Sequence, residues 1–317
     1  MIILISIVEY SKEKKELWDA FVENSRTDIF MFKRDYMEYH SDRFVDGSLL
    51  FYVDDNLMGL FPANRDKDTL ISHGGLTYGG IVTGENSKQH YVLTFFEELI
   101  KYARKNEIRQ IVYKPVPHIF HLKPAEEDRY ALFVYGAEVL EVSPSTVIDL
   151  SRPIKMAKGR KAQISRATRE GVSVIETENL ESYERVIELE NVILMGKHGV
   201  RAVHTADELY MLHNRFPENI KLFVASYKGE IIAGVVIYIY KQVVHTQYIA
   251  SNETAREIGG VDAIIGQIIN KYREQKRWID FGISSENGGK YLNEGLISQK
   301  EGFGGRTVVY EKYILRI

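Results

Sequence analysis

The sequence predicts a protein of the mixed α/β class, built from two domains of similar construction. At 317 residues the chain is too long for one ordinary domain and about right for two. It is 44% hydrophobic and 27% charged, so it can bury a sizeable core. The same order of strands and helices also occurs twice along the chain. That order predicts mixed sheets with helices on their faces.

The first copy opens with an apolar strand at residues 2–8, followed by an amphipathic helix whose core-facing side we place at Leu17, Ala20, Phe21 and Asn24. Strands at residues 49–53 and 57–63 form a hairpin around the turn residues Asp54-Asp55-Asn56. The copy ends with a helix that has paired apolar residues and with a buried strand; these lie at residues 91–100 and 110–113.

The second copy repeats this order. Thr205-Ala206-Asp207-Glu208 predicts a capping box at the start of its second helix. The predicted elements are a strand at 172–175, helices at 180–195 and 205–216, strands at 222–227, 231–240 and 243–250, a helix at 262–275, and strands at 278–281 and 307–315. The joint between the copies lies near Leu150–Arg152, so we predict domains at residues 1–151 and 152–317.

Composition excludes several classes of protein. The net charge of −3 and the pI of about 6.3 give no general attraction to DNA or to acidic membranes. The absence of cysteine excludes disulfides and thiolate chemistry. The apolar start, Met1–Val8, is too short for a membrane span and has no features of a leader. His198, His204 and His213 lack the spacing of a metal site. We therefore expect a cytoplasmic protein without a metal, a DNA partner or a membrane span.

Several stretches resemble a known family. GRKAQISRATREGVSV (159–174) resembles the basic helix and first strand that open the second domain of FemAB-like proteins, and LFVASYKGEIIAGVVIY (222–238) resembles their central hairpin. WIDFG followed by SQKEGFGG resembles their C-terminal signature, and GGLTYGGIV (74–82) resembles a first-domain segment. Over nearly its whole length the chain is similar to these acyltransferases, which carry two GNAT-type domains in tandem. The resemblance implies that each domain is a mixed, largely antiparallel sheet flanked by helices.

The acyl donor is expected at Arg256-Glu257-Ile258-Gly259-Gly260-Val261, directly before the helix predicted at 262–275. The unpaired N–H groups and the dipole of a helix N-terminus favour an anion. The resemblance implies that this loop holds the pyrophosphate of an acyl-CoA, with acetyl-CoA as the leading candidate. Arg256 and Gly259 match the family pattern Gln/Arg-x-x-Gly-x-Gly/Ala, whereas Val261 replaces its last small residue. The alternative is an ordinary helix that begins at a glycine. The glycines of the first domain precede no helix in this way, so its donor site is expected to be degenerate.

Two side chains of the strand at 243–250 are candidates for the active site. In the GNAT fold the pantetheine arm lies between two splayed strands, here 243–250 and 278–281. Simple alternation places His245 and Tyr248 on opposite faces, so that only one of them faces the cleft. His245 is the candidate base, because the pKa of an imidazole lies near neutrality. A purely structural histidine is the alternative. Tyr248 is a candidate for substrate contact.

The segment SQKEGFGGR, residues 298–306, places three glycines around Phe303 shortly before the last strand. The resemblance implies that Lys300 lies at the active site, where an ammonium would stabilise the oxyanion or protonate the leaving group. Tyr291 is the alternative proton donor, and a solvated lysine on a tight hairpin is the competing interpretation. Asp280-Phe281-Gly282 matches a kinase motif, but the other kinase motifs are missing, so we interpret it as coincidence.

A basic run precedes the second domain's first strand. It contains Arg152, Lys155, Lys158, Arg160, Lys161, Arg166 and Arg169. Such runs are usually solvated helix faces, and a nucleic-acid surface would also contain aromatic residues. Together with the resemblance, the run predicts that Arg160, Arg166 and Arg169 bind an anionic acceptor, since guanidinium groups suit carboxylate and phosphate.

The sequence therefore predicts an N-acyltransferase that moves an acyl group from acyl-CoA to an amine on a sugar, peptide or amino-acid metabolite. The first alternative is a peptidoglycan-type aminoacyltransferase that uses aminoacyl-tRNA. Against it, no segment here is long and charged enough to form the helical arm of the tRNA-dependent members. The second alternative is a non-catalytic binding protein that retains the fold.

Overall fold

The computed structural model describes residues 5–27 and 29–317, without the side chains of Lys197 and His198. The chain divides into two compact units, the first made of residues 1–144, 285–291 and 309–317 and the second of residues 145–284 and 292–308. The division differs from the predicted one because the last strand returns to the first unit, where Tyr313–Arg316 pair with Gln110–Tyr113. As a boundary between independently folding domains, Ser151/Arg152 stays a prediction.

The first unit has two groups of strands with helices beside them. Its helices are α1 (Lys15–Glu23), α2 (Arg34–Met37), α3 (Gln89–Lys105) and α4 (Glu127–Val134), with 3-10 turns at Lys12–Lys14, Phe30–Phe32, Glu38–His40 and His118–Phe120. Its strands are β1 (Ile5–Glu9), β2 (Val45–Asp46), β3 (Leu49–Val53), β4 (Asn56–Phe61), β5 (Asn64–Asp66), β6 (Thr69–Ile71), β7 (Val82–Thr83) and β8 (Gln110–Tyr113). They are ordered β1-β3-β4-β7 and β8-β6-β5-β2, with β6 and β8 parallel. Residues 2–4 of the predicted first strand lie outside the described residues.

The helix α1 buries a different face from the predicted one. Trp18 and Val22 are fully buried, whereas Leu17 is 45% exposed. The indole N–H of Trp18 donates a hydrogen bond to the carbonyl of Phe32 at 2.7 Å. The prediction of Leu17, Ala20 and Phe21 as the buried face is wrong, because the larger indole and its hydrogen bond fix the rotation of the helix.

The second unit is one sheet with helices on both faces. Its helices are α5 (Lys158–Glu170), α6 (Leu180–His198), α7 (Ala206–Arg215), α8 (Glu253–Ile258), α9 (Gly260–Tyr272) and α10 (Glu294–Glu301). Strand β9 (Glu138–Asp149) enters it from the first unit, followed by β10 (Ser173–Thr177), β11 (Ile220–Tyr227), β12 (Glu230–Ile239), β13 (Val243–Ser251) and β14 (Trp278–Ile283). Of the remaining strands, β15 (Ser285–Glu286) belongs to the first unit, and β16 (Tyr291–Leu292) and β17 (Arg306–Arg316) have residues in both units. The order β10-β11-β12-β13-β14-β9 is antiparallel except between β13 and β14, which confirms the predicted mixed sheet.

The core of the second unit lies between α9 and one face of this sheet. Helix α9 contributes Val261, Ile264, Ile265, Ile268, Ile269 and Tyr272 to a buried cluster with alternate residues of β12. Each such side chain stabilises the fold by about 1.5–3 kcal/mol. Helix α6 packs on the other face, where Val186 contacts the bare backbone at Gly234. Both faces are therefore covered, and polar side chains on either face of β13 and β14 lie in a mostly dry environment. The capping box of Thr205 and Glu208 is present at the start of α7, as predicted.

Candidate active site

Strands β13 and β14 form a fork. As parallel neighbours they pair only at Val243 with Trp278, Val244 with Ile279, and His245 with Asp280. Beyond these pairs β13 continues beside β12, whereas β14 bends along β9 as far as the pair of Ile283 with Ser145. We call the region between residues 246–251 of β13 and 281–283 of β14 the strand fork. It lies where the sequence predicted the splayed strands.

A bulge in β13 brings His245 and Tyr248 to the same face of the sheet. Thr246 pairs with Ile237 and Tyr248 pairs with Val236, so Gln247 is an extra residue. Cross-strand partners share a face, and the partners of His245 and Tyr248, which are Tyr238 and Val236, are two residues apart. The prediction that His245 and Tyr248 face opposite sides is wrong, because simple alternation does not hold across a bulge.

His245 is held by a buried carboxylate at the vertex of the fork. Its Nδ1 lies 2.6 Å from Oδ2 of Asp280, which is fully buried. A carboxylate only accepts hydrogen bonds, so Nδ1–H donates to it and Nε2 is left as the second nitrogen of the ring, free of this contact. The hydroxyl of Ser145 and the N–H of Gly282 donate to the other oxygen, Oδ1. These contacts fix the carboxylate and, through it, the orientation of the imidazole, as a base in acyl transfer requires.

Lys300 points into the protein, toward the same strand. It lies on α10, is 7% exposed, and donates from Nζ to the carbonyls of Gly282 at 3.0 Å and Ile283 at 2.8 Å. Burial lowers the pKa of Lys300 to about 8, an effect that the negative charge of Asp280 partly opposes. A solvated lysine on a hairpin is not what the structure shows. An ammonium has three N–H groups, and the two carbonyls take two of them.

Gly282 connects these groups through its backbone. Its N–H donates to Asp280, its carbonyl accepts from Lys300, and a Cβ at this position would lie 3.5 Å from Cε1 of His245. Its φ of +73° is a conformation that other residues rarely adopt. Glycine therefore suits this turn of the strand, where the imidazole of His245 and the ammonium of Lys300 both lie close to the backbone of Gly282.

The turn after α10 anchors the helix that carries Lys300. Phe303 is buried and stacks on Phe281, with ring centroids 5.7 Å apart. Gly304 has a φ of +100°, and a Cβ there would lie 2.8 Å from Cγ2 of Ile154. The glycine-rich segment thus packs tightly against the loop that contains Ile154, within the second unit. Such packing is what an inward Lys300 requires.

Two hydroxyl groups at the fork are buried without a hydrogen-bond partner in the described chain. They are Oγ1 of Thr246, the first residue of β13 beyond its pairing with β14, and Oγ of Ser284, directly after β14. Such groups are rare in folded proteins, because the loss of hydration costs about 1–3 kcal/mol. They are suited to pair with polar groups of a substrate.

The predicted donor segment forms a tight turn between α8 and α9. Arg256 lies in the last turn of α8, Gly259 has a φ of +81°, and α9 begins at Gly260, two residues before the predicted start. Ile258 and Val261 are buried in the core. Helix α5 lies against the turn, where a Cβ on Gly259 would contact the carbonyl of Gln163. The start of α9 is therefore partly covered by the protein's own helix.

Arg160 belongs to that contact. Its Nη1 lies 2.9 Å from Oδ1 of the buried Asp262 in the first turn of α9, and its guanidinium lies 5.7 Å from the centre of the Phe303 ring. Burial raises the pKa of Asp262, and Arg160 acts against that rise. Of the three predicted acceptor arginines, Arg160 is thus engaged within the protein, whereas Arg166 and Arg169 are exposed on α5.

The structure places the other predicted residues separately. The hydroxyl of Tyr248 lies 2.7 Å from Nδ1 of His204, and burial raises the pKa of Tyr248 to about 12. Tyr291 is 56% exposed on β16 and belongs to the first unit. Among the described residues no group of His, Asp and Glu is arranged to hold a metal. In the same ranges no helix combines the length and apolarity that a bilayer crossing requires.

Sequence reasoning missed Asp280, Ser145 and His204. A usable signal existed for Asp280, since it is a charged residue inside a strand predicted to be buried beside that of His245. Once the kinase interpretation is excluded, a carboxylate in a buried strand needs a polar or charged partner. His245, on the strand predicted to be its neighbour, is the obvious candidate. Ser145 and His204 carry no comparable signal, because their contacts depend on tertiary register.

Comparisons with known proteins concern the fold of the chain. Residues 155–291 match the family model described as acetyltransferase (GNAT) domain. The solved structure of FemX is similar with a TM-score of 0.69 and 11% identity, covering 98% of this chain and 97% of that one. L-PGS from Bacillus licheniformis is similar with a TM-score of 0.62 and 18% identity, covering 97% and 92%. A tandem GNAT protein from the clavulanic acid biosynthesis pathway has a TM-score of 0.54 and 10% identity, covering 99% and 98%.

A search of curated protein sequences found no match. At identities this low the structural likenesses establish the fold, and the family match places an acetyltransferase domain on the unit that contains the strand fork. Residues 155–291 therefore match the acetyltransferase (GNAT) domain family, and the fold of the chain is similar to that of FemX and of the tandem GNAT protein.

Proposed function

We propose that the second unit transfers an acyl group from acyl-CoA to the amine of a sugar, peptide or amino-acid metabolite at the strand fork. The observation that supports this most is the meeting of a carboxylate-held imidazole and a buried ammonium around Gly282. Acyl transfer to an amine needs a base for the amine proton and a positive group for the oxyanion. His245 and Lys300 supply the base and the positive group at the vertex of the fork. The predicted location of the protein stays the cytoplasm.

The roles follow from the hydrogen bonds. His245 takes the amine proton at Nε2, since Nδ1 is committed to Asp280. The amine nitrogen bonds to the carbonyl carbon of the donor, and the carbonyl oxygen becomes negative. The third N–H of the Lys300 ammonium stabilises that oxygen. When the carbon–sulfur bond breaks, the thiolate takes up a proton from the protonated His245 or from Lys300.

A second donor is favoured by the packing of α5 against the start of α9. The contact of Gln163 with Gly259 and the carboxylate of Asp262 leave less room for a pyrophosphate at this helix N-terminus than the sequence pattern suggested. Aminoacyl-tRNA, the donor of the tRNA-dependent FemAB-like proteins, does not need that pyrophosphate site. The second candidate is therefore an aminoacyltransferase that uses the same residues at the fork.

A thermal-shift panel distinguishes the two donors. Acetyl-CoA, longer acyl-CoAs, free CoA and charged tRNA are each added to the intact protein. A ligand that binds only the folded state, at a hundred times its Kd, adds about 2.7 kcal/mol to the free energy of unfolding. We expect acyl-CoA to stabilise the protein. Stabilisation by charged tRNA alone would favour the second candidate. If no turnover is found with either donor, the protein would be a non-catalytic binding protein.

The position of the donor is tested with a charge reversal that avoids the packed turn. Gly259 is unsuitable for substitution, because of its positive φ and its contact with Gln163. Arg256→Glu changes an exposed residue in the last turn of α8, shortly before α9, and Arg273→Glu makes the same change at the exposed far end of α9. If CoA binds at Ile258–Val261, the first variant weakens CoA binding about tenfold in calorimetry and the second does not. Equal CoA affinities in the two variants would show that CoA does not bind at Ile258–Val261.

A further inference from the structure

A cavity lies in the second unit, at the opposite end of β14 from the strand fork. Its volume is about 340 Å³, and it is lined by the first residue of β14, Trp278, together with the last residues of β9 and the start of β17. Asp280 and His245 lie at the vertex of the fork and do not line the cavity, which contacts β14 at its first residue. It is therefore separate from the residues assigned to acyl transfer.

The cavity combines an aromatic floor with a cationic rim. Trp278 is half-buried, and Ile154 and Val308 contribute further apolar wall. Arg152, Lys155 and Arg306 line the same cavity and are exposed. Among its lining residues, all of which the structure describes, Asp149 is the one acid, so the formal charge of the lining is three positive against one negative.

Backbone contacts fix the walls of the cavity. The N–H of Leu150 donates to the carbonyl of Arg277 at 2.8 Å, which ties the end of β9 to the start of β14. On the other side Gly304 approaches Ile154 closely, and the N–H of Ala157 donates to the carbonyl of Gly302 at 2.8 Å. Asp149 accepts hydrogen bonds from the N–H and the hydroxyl of Ser151, and its other oxygen lies 3.3 Å from Nε of Arg152. The acid is thus occupied within the loop, and the positive charges dominate the rim.

These features fit one class of ligand. An indole face binds planar rings by stacking, and guanidinium and ammonium groups bind phosphate. The guanidinium of Arg277 already lies 4.7 Å from the centre of the Trp278 ring, which adds positive charge beside the floor. A free phosphate would use only the rim, and an uncharged aromatic compound would use only the floor.

We propose that this cavity binds a nucleoside phosphate, with the base against Trp278 and the phosphate among Arg152, Lys155 and Arg306. The inference does not depend on the proposed acyl transfer. Its ligand is either a free nucleotide or the nucleotide part of CoA. The chemistry of recognition is the same in each case.

The two tryptophans of the chain make the site directly measurable. Trp18 is fully buried in the first unit, so a ligand in the cavity changes the fluorescence of Trp278 alone. The intact protein is titrated with AMP, CMP, adenosine and inorganic phosphate, and calorimetry repeats each titration. We expect saturable quenching by the nucleotides and affinities at least about tenfold weaker for adenosine and for phosphate alone. Phosphate binding as tightly as AMP, adenosine binding as tightly as AMP, or no saturable binding would each overturn the proposal.

A matched pair of triple variants locates the site. Arg152→Gln, Lys155→Gln and Arg306→Gln together remove the rim, whereas Lys158→Gln, Lys161→Gln and Arg273→Gln remove the same charge from exposed positions of the same unit. AMP affinity should fall at least about tenfold in the first variant and stay unchanged in the second. An equal loss in both would reduce the effect to general electrostatics and contradict the proposal. If CoA affinity falls with that of AMP, the ligand is the nucleotide of the donor; if only AMP affinity falls, it is a separate nucleotide.

Discussion

Oδ2 of Asp280 lies 2.6 Å from Nδ1 of His245, and the two residues are register partners in the parallel pair of strands β13 and β14. The carboxylate is fully buried and receives further hydrogen bonds from Ser145 and Gly282. The strand pairing therefore sets the tautomer of His245 directly. Because the strands separate immediately afterwards, Nε2 is positioned where the sheet opens.

Asp280→Asn should lower kcat on the order of a hundredfold, the lower end of what a positioned base contributes. The amide keeps the shape of the carboxylate, but it can present N–H to the ring and so favour the wrong tautomer. Steady-state kinetics with the donor identified by the thermal-shift panel provide the measurement. Ser145→Ala, which leaves the carboxylate in place, serves as the control and should cost much less. Equal activity of Asp280→Asn and the parent would assign the pair a structural role only.

The pH profile should report Lys300. Burial lowers its pKa from 10.5 to about 8, and the charged form is the one that stabilises an oxyanion. The ammonium is present below this pKa, so kcat should fall as the pH rises through about 8. Lys300→Arg stays charged throughout, so this limb should disappear, at a lower kcat because a planar fork replaces a compact charge poorly. Lys290→Met, at an exposed lysine, should keep the limb. A limb near pH 8 that survives in Lys300→Arg would belong to another group.

Arg160 should contribute to stability through Asp262 rather than to substrate binding. Arg160→Gln leaves a buried carboxylate without its partner, which typically lowers the free energy of unfolding by about 3 kcal/mol. Asp262→Asn in the same chain removes the charge and should restore most of the loss. Denaturant unfolding of the four members of this double-mutant cycle gives the interaction energy. Additive effects of the two substitutions would show that the ion pair stabilises nothing.

Arg166 and Arg169, which are exposed on α5, remain the candidates for an anionic acceptor. Replacing both with glutamine should raise the KM for the acceptor several-fold and leave donor affinity unchanged, because they would act on acceptor binding alone. Lys158→Gln with Lys161→Gln removes the same charge nearer the start of the helix and serves as the control. If donor affinity falls, or if the KM for the acceptor does not change, these arginines would be ordinary solvent-exposed residues without a role in acceptor binding.

The sequence predicted what local pattern controls. The strands at 243–250 and 278–281, the capping box at Thr205 and the inward direction of Lys300 depend on apolar runs, short hydrogen bonds and a glycine-rich turn, and all are present. The bulge at Gln247 and the pairing of Arg160 with Asp262 depend on how elements meet in three dimensions. The rotation of α1 was missed for the same reason, because Trp18 finds its hydrogen-bond partner in another segment. Pattern within one element carries no information about such contacts.

The turnover of Lys300→Met tests the central claim most directly. Methionine keeps much of the apolar stem of the buried lysine and removes only the ammonium that donates to Gly282 and Ile283. With donor and acceptor both saturating, we expect kcat to fall on the order of a hundredfold, the scale of losing one oxyanion donor, with little change in donor affinity or thermal stability. A variant that folds, binds the donor and turns over at nearly the parent rate would contradict the assignment of the strand fork as the site of acyl transfer.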